Sequence, residues 1–230
     1  MPRRPLHWAF LGRVPYAPAV ALQERLRQGV RFGRGPEHLL LVEHPPVFTL
    51  GRNADVGGLL ASAAWLAERG VEVHHASRGG QVTFHGPGQL VGYPIVNLDP
   101  DRRDVRRFVG DLQEALVRTL AELGVAARRG ADSTRVGVWV GERKIASIGV
   151  HLARWISIHG FALNVATDLG FFRGIVACGL PDVAMTSIAE LLGAAPPLAE
   201  VARIAARHLG EIFDRELVEI APDSLTLPEP

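Results

Sequence analysis

Residues 135–165 read RVGVWVGERKIASIGVHLARWISIHGFALNV, and their hydrophobic period differs from that of the chain just before them. Val136, Val138 and Val140 alternate with glycine and tryptophan, Gly141-Glu142-Arg143 reads as a hairpin turn, and Ile145, Ile148 and Val150, followed by residues 155–165, give neighbouring strands. Immediately upstream, Val105, Phe108, Val109, Leu112, Leu116, Leu120 and Leu123 recur at steps of three and four, the spacing of one helical face, with Gly124 placed to end it. Further out, residues 17–30 carry a helical stripe of Val20, Leu22, Leu26 and Val30, and Ser62 is placed to cap a helix running through Trp65 and Leu66 towards Gly70. Residues 39–42, 47–50 and 71–73 read as short strands, and Val201, Ile204, Leu209 and Ile212 support a last helix. Helices interleaved with sheet segments predict an α/β domain with a mixed β-sheet core flanked by helices; periodicity carries no strand order.

A chain of 230 residues is expected to form one domain, here residues 1–220, with residues 221–230 (APDSLTLPEP) as a short tail. Apolar residues at 47% and charged ones at 21% exclude wholesale disorder, and a formal charge of +1 gives no electrostatic case for a nucleic-acid partner. The basic start, Met1-Pro2-Arg3-Arg4-Pro5, is followed by no secretory apolar run, since Pro15 and Pro18 interrupt the nearest candidate, and no stretch is long enough for a membrane span. A single cysteine, Cys178, rules out an internal disulfide and fits a reducing cytoplasmic compartment. Of the 25 basic side chains only one, Lys144, is a lysine.

The segment richest in chemistry is Arg78-Gly79-Gly80-Gln81-Val82-Thr83-Phe84-His85-Gly86-Pro87-Gly88-Gln89. Its four glycines permit tight turns and close backbone approach, while Arg78 can fix an anion or a carbonyl, Thr83 supplies a hydroxyl and His85 exchanges a proton. It matches neither a phosphate loop nor a dinucleotide fingerprint and reads as a binding or catalytic loop, against the plainer account of a Gly-rich bend. His74 and His75 nearby do not make a metal site with His85: adjacent strand residues face opposite ways, and no carboxylate ligand spacing accompanies them.

Lys144 opens Lys144-Ile145-Ala146-Ser147-Ile148-Gly149; it reads equally as a solvated hairpin lysine or as an ammonium at the mouth of a pocket, holding an anion or favouring a nearby thiolate. His159-Gly160-Phe161-Ala162-Leu163-Asn164 sets two polar side chains in an apolar strand, where a satisfied core histidine competes with a binding role. Cys178, in Ala177-Cys178-Gly179-Leu180-Pro181, lies in a turn where a thiol is reachable by a large substrate, though free cysteine is often simply buried.

Taken together, these segments resemble the octanoyl-[acyl carrier protein]–protein octanoyltransferase, or lipoyl(octanoyl) transferase, family. Glu43-His44-Pro45-Pro46, Thr49-Leu50-Gly51-Arg52 and Thr186-Ser187-Ile188 extend the resemblance, which runs from about residue 40 to residue 192. Phe84 stands where many members carry tyrosine. The resemblance implies the fold of the biotin and lipoate protein ligase catalytic domains and a cytoplasmic, monomeric acyltransferase of lipoate biosynthesis that needs no cofactor. It implies octanoyl-acyl carrier protein as donor and, as acceptor, a lysine on lipoyl domains of oxo-acid dehydrogenase complexes or on the glycine-cleavage H protein. Cys178 and Lys144 are then the catalytic pair, within about 4 Å or one bridging water of each other. Cys178 carries the acyl group as a thioester, and Lys144 favours the thiolate and takes or relays the acceptor's proton. The implied substrate site comprises residues 78–86, with Ser147, Ile148, Gly149, His159, Gly160, Phe161, Ala162 and Asn164; His85 orients the loop or helps place the acceptor. An ATP-dependent lipoate or biotin protein ligase needs a lysine but no nucleophilic cysteine, so Cys178-Gly179 favours transfer. A noncatalytic protein that binds lipoyl domains or acyl carriers is the remaining alternative.

Overall fold

The computed structural model describes residues 3–132, 134–176, 183–225 and 227. Strand β1 (Arg4–Arg13) precedes the first helix, α1 (Tyr16–Arg31), and β2 (Glu37–Glu43), β3 (Val47–Leu50), α2 (Ala63–Glu68), β4 (Glu72–His75), β5 (Val82–His85) and β6 (Gln89–Ile95) follow it along the chain. Helix α3 (Val105–Glu122) leads into β7 (Arg128–Arg129), β8 (Val138–Val140), β9 (Arg143–Ala153) and β10 (Ile156–Asn164), and the described chain closes with α4 (Ile188–Leu192), α5 (Leu198–Phe213) and β11 (Arg215–Glu219). Eight strands form one sheet in the order β11-β1-β2-β6-β10-β9-β8-β7, and β4-β3-β5 form a small second sheet. The large sheet is mixed: β1 runs parallel to β2 and β11, while β2, β6, β10, β9, β8 and β7 pair antiparallel in turn.

Both faces of the large sheet are covered, which is why β10 is buried along its whole length. Phe161 and Leu163 pack with Phe108, Leu112 and Leu116 of α3 and Leu209 and Phe213 of α5. Ile156, Ile158 and Ala162 pack on the other side with Leu22 of α1. The apolar step pattern of α3 therefore marks the face that meets the sheet. Asp104 caps this helix, accepting hydrogen bonds from the Arg106 and Arg107 amides at 2.8 and 3.1 Å, and Gly124, at φ +81°, takes the left-handed turn that releases the chain. Ser62 accepts from the Trp65 amide at the start of α2, as its position predicts.

Three sequence readings need correction. The strand expected at residues 71–73 lies at Glu72–His75. The segment from Arg78 to Gln89 is not one loop: only residues 78–81 and 86–88 are irregular, because β5 pairs antiparallel with β3 and Gln89 already belongs to β6. A four-residue strand flanked by glycines leaves little periodic signal, yet its buried backbone needs partners, and β3 provides them. β1 was also hidden in what reads as a basic start; the alternation of Leu6, Trp8 and Phe10 is its signal. Among the described residues no helix is long and apolar enough to cross a membrane.

Candidate active site

Residues 78–89 carry the chain from the small sheet to the large one, and this crossing walls a cavity of about 430 Å³. Along β5 the pleat divides the labour. Val82 and Phe84 turn into an apolar cluster with Phe48 and Phe172, whereas Thr83 and His85 line the cavity. Arg78, Gly79, Gly80 and Gln81 line it too, as do Lys144, Ser147, Ile148 and Gly149 from β9 and His159, Gly160, Phe161 and Ala162 from β10; Val82, the first residue of β5, touches both the cavity and the cluster.

Phe84, Gly86 and Asn164 lie behind the wall. The Phe84 ring stacks on Phe171 with centroids 4.6 Å apart, and a Cβ on Gly86 would meet Phe84 Cζ at 2.3 Å. Phenylalanine in place of tyrosine therefore suits an apolar pocket and removes no hydroxyl from the cavity.

Arg78 fixes carbonyls, as its chemistry allows, but they include the chain's own. Its Nη1 donates to the carbonyls of Gly79 and Gln81 at 3.1 and 2.9 Å, and Nη2 donates to the Thr49 carbonyl and hydroxyl at 2.6 and 2.7 Å. The guanidinium thus ties residues 78–81 to β3. The Gly79 amide, donating to the Val150 carbonyl at 3.0 Å, ties them to β9. Such closeness requires glycine: a Cβ on Gly51 would lie 2.3 Å from the Gly80 carbonyl oxygen, and one on Gly149 would lie 3.0 Å from Arg78 Cδ.

Lys144 is buried, with 2% of its surface exposed, so it is not a solvated hairpin lysine. Gly137 leaves space for it, since a Cβ there would sit 2.5 Å from Lys144 Cε, and Nζ lies 5.6 Å from the centre of the Trp139 ring in a cation–π contact. Its backbone is held by residues 184–186: the Lys144 amide donates to the Ala184 carbonyl and its carbonyl accepts from the Thr186 amide, both at 2.9 Å.

His85 sits in a polar network running back to this same strand. Its Nδ1 lies 2.8 Å from Gln89 Oε1; Gln89 Nε2 donates to Asn164 Oδ1 at 2.9 Å, and Asn164 Nδ2 donates to the Thr186 carbonyl at 3.0 Å. Burial, reinforced by the neighbouring His44, holds His85 well below the ordinary histidine value, so the ring is neutral. Tyr16 stacks on His85, and burial pushes its phenol up to about 12.

At the other end of β10, His159 Nε2 and His151 Nδ1 both contact Ser77 Oγ, at 3.0 and 2.9 Å. His159 has φ +58°, an uncommon backbone for a side chain with a Cβ, and its amide turns out of the sheet to Gln23 Oε1 at 2.8 Å. His74 binds Glu72 at 2.7 Å, and among the described residues no group of three or more His, Cys, Asp or Glu is placed to hold a metal ion. Cys178 falls outside the described residues.

The pattern of the family described as the lipoyl protein ligase A/B catalytic domain matches residues 15–210. The octanoyltransferase of Solibacter usitatus is 50% identical over 208 residues, covering 90% of this chain and 93% of that protein. The chain belongs to the octanoyltransferase family. The octanoyltransferase of Myxococcus xanthus is 47% identical over 223 residues, and there the chain spans 62% of a longer protein. Among solved structures, the bipartite lipoate protein ligase of Thermoplasma acidophilum superposes with a TM-score of 0.71 at 17% identity, over 98% of this chain and 91% of that one. The biotin protein ligase of Aquifex aeolicus, in complex with biotin and ATP, gives 0.55 at 13% identity, over 90% and 70%. These two show a shared fold.

Some walls of the cavity in this octanoyltransferase are not legible as site residues in the sequence. Tyr16 comes from the first turn of α1, Tyr93 from β6, Val105 and Val109 from α3, and Arg52 and Asn53 from the turn after β3. The valines read only as a core face, although Val105 is 43% exposed, a departure that burial alone reveals. Tyr93 donates its hydroxyl to His44 Nε2 at 2.7 Å, with His44 Nδ1 donating to the Val14 carbonyl at 2.6 Å.

The buried imidazoles make stability depend on pH. Burial lowers His44 to about 4 and His159 to about 3. Unfolded, both titrate near 6.5, so below that pH the unfolded chain binds more protons and folding weakens as pH falls towards 4. Acidification from pH 7 to pH 5 is expected to cost about 2 kcal/mol per buried histidine. Denaturant titrations at the two pH values measure it, and equal stability at both would contradict neutral burial.

Proposed function

We propose that the chain moves an octanoyl group from octanoyl-acyl carrier protein, through a thioester on Cys178, to a lysine of a lipoyl domain. The observation that carries this reading is the burial of Lys144 on the cavity wall, with the chain that follows the Cys178 segment tied to its backbone. Before that segment, the Val176 amide donates to the Gly58 carbonyl beside β5; after it, Ala184 and Thr186 bond the Lys144 backbone. The family's name, its relatives and the sequence motifs point the same way.

The donor thioester is already activated, so no nucleotide is required. The Cys178 thiolate attacks the donor carbonyl, the C–S bond to the carrier breaks, and the carrier leaves as a thiolate that takes a proton. The acceptor amine then attacks the enzyme thioester, forming a C–N bond, breaking the C–S bond to Cys178 and giving up a proton that Lys144 takes or relays. Lys144 acts as a compact cation that favours both thiolates. A lone cysteine used in this way suits a reducing compartment such as the cytoplasm.

The test is acyl transfer from purified octanoyl-acyl carrier protein to a lipoyl domain without ATP. Amide product supports the reading; strict dependence on ATP and free octanoate would make the chain a ligase, and binding without turnover would make it an adaptor. Arg52 and Arg78 on the wall put positive charge at the cavity, which would steer an acidic carrier. Donor association is therefore expected to slow several-fold between 50 and about 200 mM salt, where screening shortens the reach of these charges. Stopped-flow association rates indifferent to salt would remove the steering.

A further inference from the structure

We infer that Arg27, Arg52 and His151 form an anion seat at the rim of the cavity, which takes the phosphate of the 4′-phosphopantetheine arm that presents a carrier's thioester. The inference rests on the acyl relay proposed above and deepens it by naming how the donor is recognised.

Hydrogen bonds on both sides of Arg78 bring these groups together. Just before it, Ser77 Oγ contacts His151 Nδ1 at 2.9 Å and His159 Nε2 at 3.0 Å. Just after it, the Gly79 amide donates at 3.0 Å to the carbonyl of Val150, the neighbour of His151 on β9. The Arg78 carbonyl itself accepts from the Arg52 amide at 3.0 Å, so Arg52 stands beside the same stretch of β9. Arg27 comes from α1, one turn past Gln23, whose Oε1 accepts the His159 amide at 2.8 Å.

The charges there do not balance. Arg52 is exposed and enters no ion pair among the described residues. Arg27 Nη2 pairs with Glu24 at 2.5 Å, while its Nη1 is buried without a hydrogen-bond partner, a costly state that an anion relieves. Burial first, then Arg27 and Arg52, lower the His151 imidazole against the opposing pull of Glu24. Such a site is short of negative charge, and a phosphate offers oxygens to two guanidiniums and an imidazole at once.

Length fits the arm. Allowing about 3.3 Å per residue and one bulged residue at Ile145, β9 runs about 20 Å from Lys144 to His151. An extended 4′-phosphopantetheine arm sets its phosphorus about 18 Å from the thioester carbon, each bond of about 1.5 Å advancing a little less than its length. Ser147, Ile148, Gly149 and Val150 line the cavity along this run, and His159, the partner of Val150, lines it with Arg52. Past Ala146 β8 no longer pairs with β9, which opens that edge to the amides of the arm. With the thioester at Lys144, the phosphate arrives at His151.

Octanoyl-pantetheine and octanoyl-4′-phosphopantetheine carry the same thioester and differ only in the phosphate. Acyl loading of the unmutated chain, followed by intact-protein mass, is expected to show a kcat/KM at least about tenfold higher for the phosphorylated donor, the usual worth of charge-assisted hydrogen bonds. In the double variant Arg27→Gln, Arg52→Gln that ratio should fall to about 1, and Arg52→Lys should keep part of it. Histidine NMR supplies a readout without turnover: 4′-phosphopantetheine should raise the pH at which His151 titrates, and pantetheine should not. Equal loading of the unmutated chain from the two donors, or a ratio that survives in the double variant, would remove the seat and leave the relay standing. If the unmutated chain takes no acyl adduct from either donor or from octanoyl-acyl carrier protein, the relay itself fails and the seat falls with it.

Discussion

Cys178→Ala is expected to carry no acyl adduct after incubation with octanoyl-acyl carrier protein, and its transfer to a lipoyl domain should fall at least about 10³-fold. The reason is the arithmetic of a single thiol: no second cysteine in the 230 residues can take over the relay. The residual rate would be direct attack of the acceptor lysine on donor thioester held in the cavity. Quenched-flow measurement of product, with mass analysis of the enzyme at each time, reads both quantities. A Cys178→Ala chain with full transfer would mean that donor and acceptor react directly on the protein, and the cavity would then be a meeting place with no covalent stage.

Lys144→Arg should lower turnover about 100-fold, and the half that slows identifies the role of the lysine. The pocket is small: Gly137 is pressed against Lys144 Cε, and the Trp139 ring closes one side. A planar guanidinium keeps the charge but cannot occupy the space of a compact ammonium. If Lys144 only stabilises the thiolate, both halves should slow together, because each needs thiolate at Cys178. If Lys144 also carries the proton, the loaded variant should persist after acceptor is added. Normal loading and normal discharge would leave Lys144 with no part in the chemistry.

Some of this architecture was legible in the chain and some was not, for physical reasons. Helices α1, α3 and α5 were readable because each must cover one face of a sheet, and covering a face imposes a three-to-four step on Leu22, Phe108, Leu112 or Leu209. β9 and β10 were readable from their apolar runs and β9's start from the Gly141 turn, whereas the turn between them, Arg154-Trp155 at φ +53° and +64°, carries no glycine to announce it. β5 was not, since four residues between glycine-bearing turns hold too few alternations to stand out, and its existence depends on the distant β3. The same holds for the site. Gly80, Thr83, His85 and Lys144 drew notice as residue types in unusual company, and the fold places them on one cavity. Tyr16 gave no signal because its role arises only when α1 is laid against β6 and β10. The partners of Arg78 were not legible for a related reason: a sequence displays a cation able to fix a carbonyl but not the carbonyls of Thr49 and Gln81 that the fold delivers to it.

The most direct test of the central claim is the mass of the unmutated chain mixed with octanoyl-acyl carrier protein alone, without ATP and without acceptor. The account predicts one added octanoyl group, located by peptide mapping on the segment containing Cys178, released by hydroxylamine as a thioester must be, and lost when a lipoyl domain is added. An unacylated chain that nonetheless transfers octanoate from that donor, or an adduct on any other side chain, would contradict it.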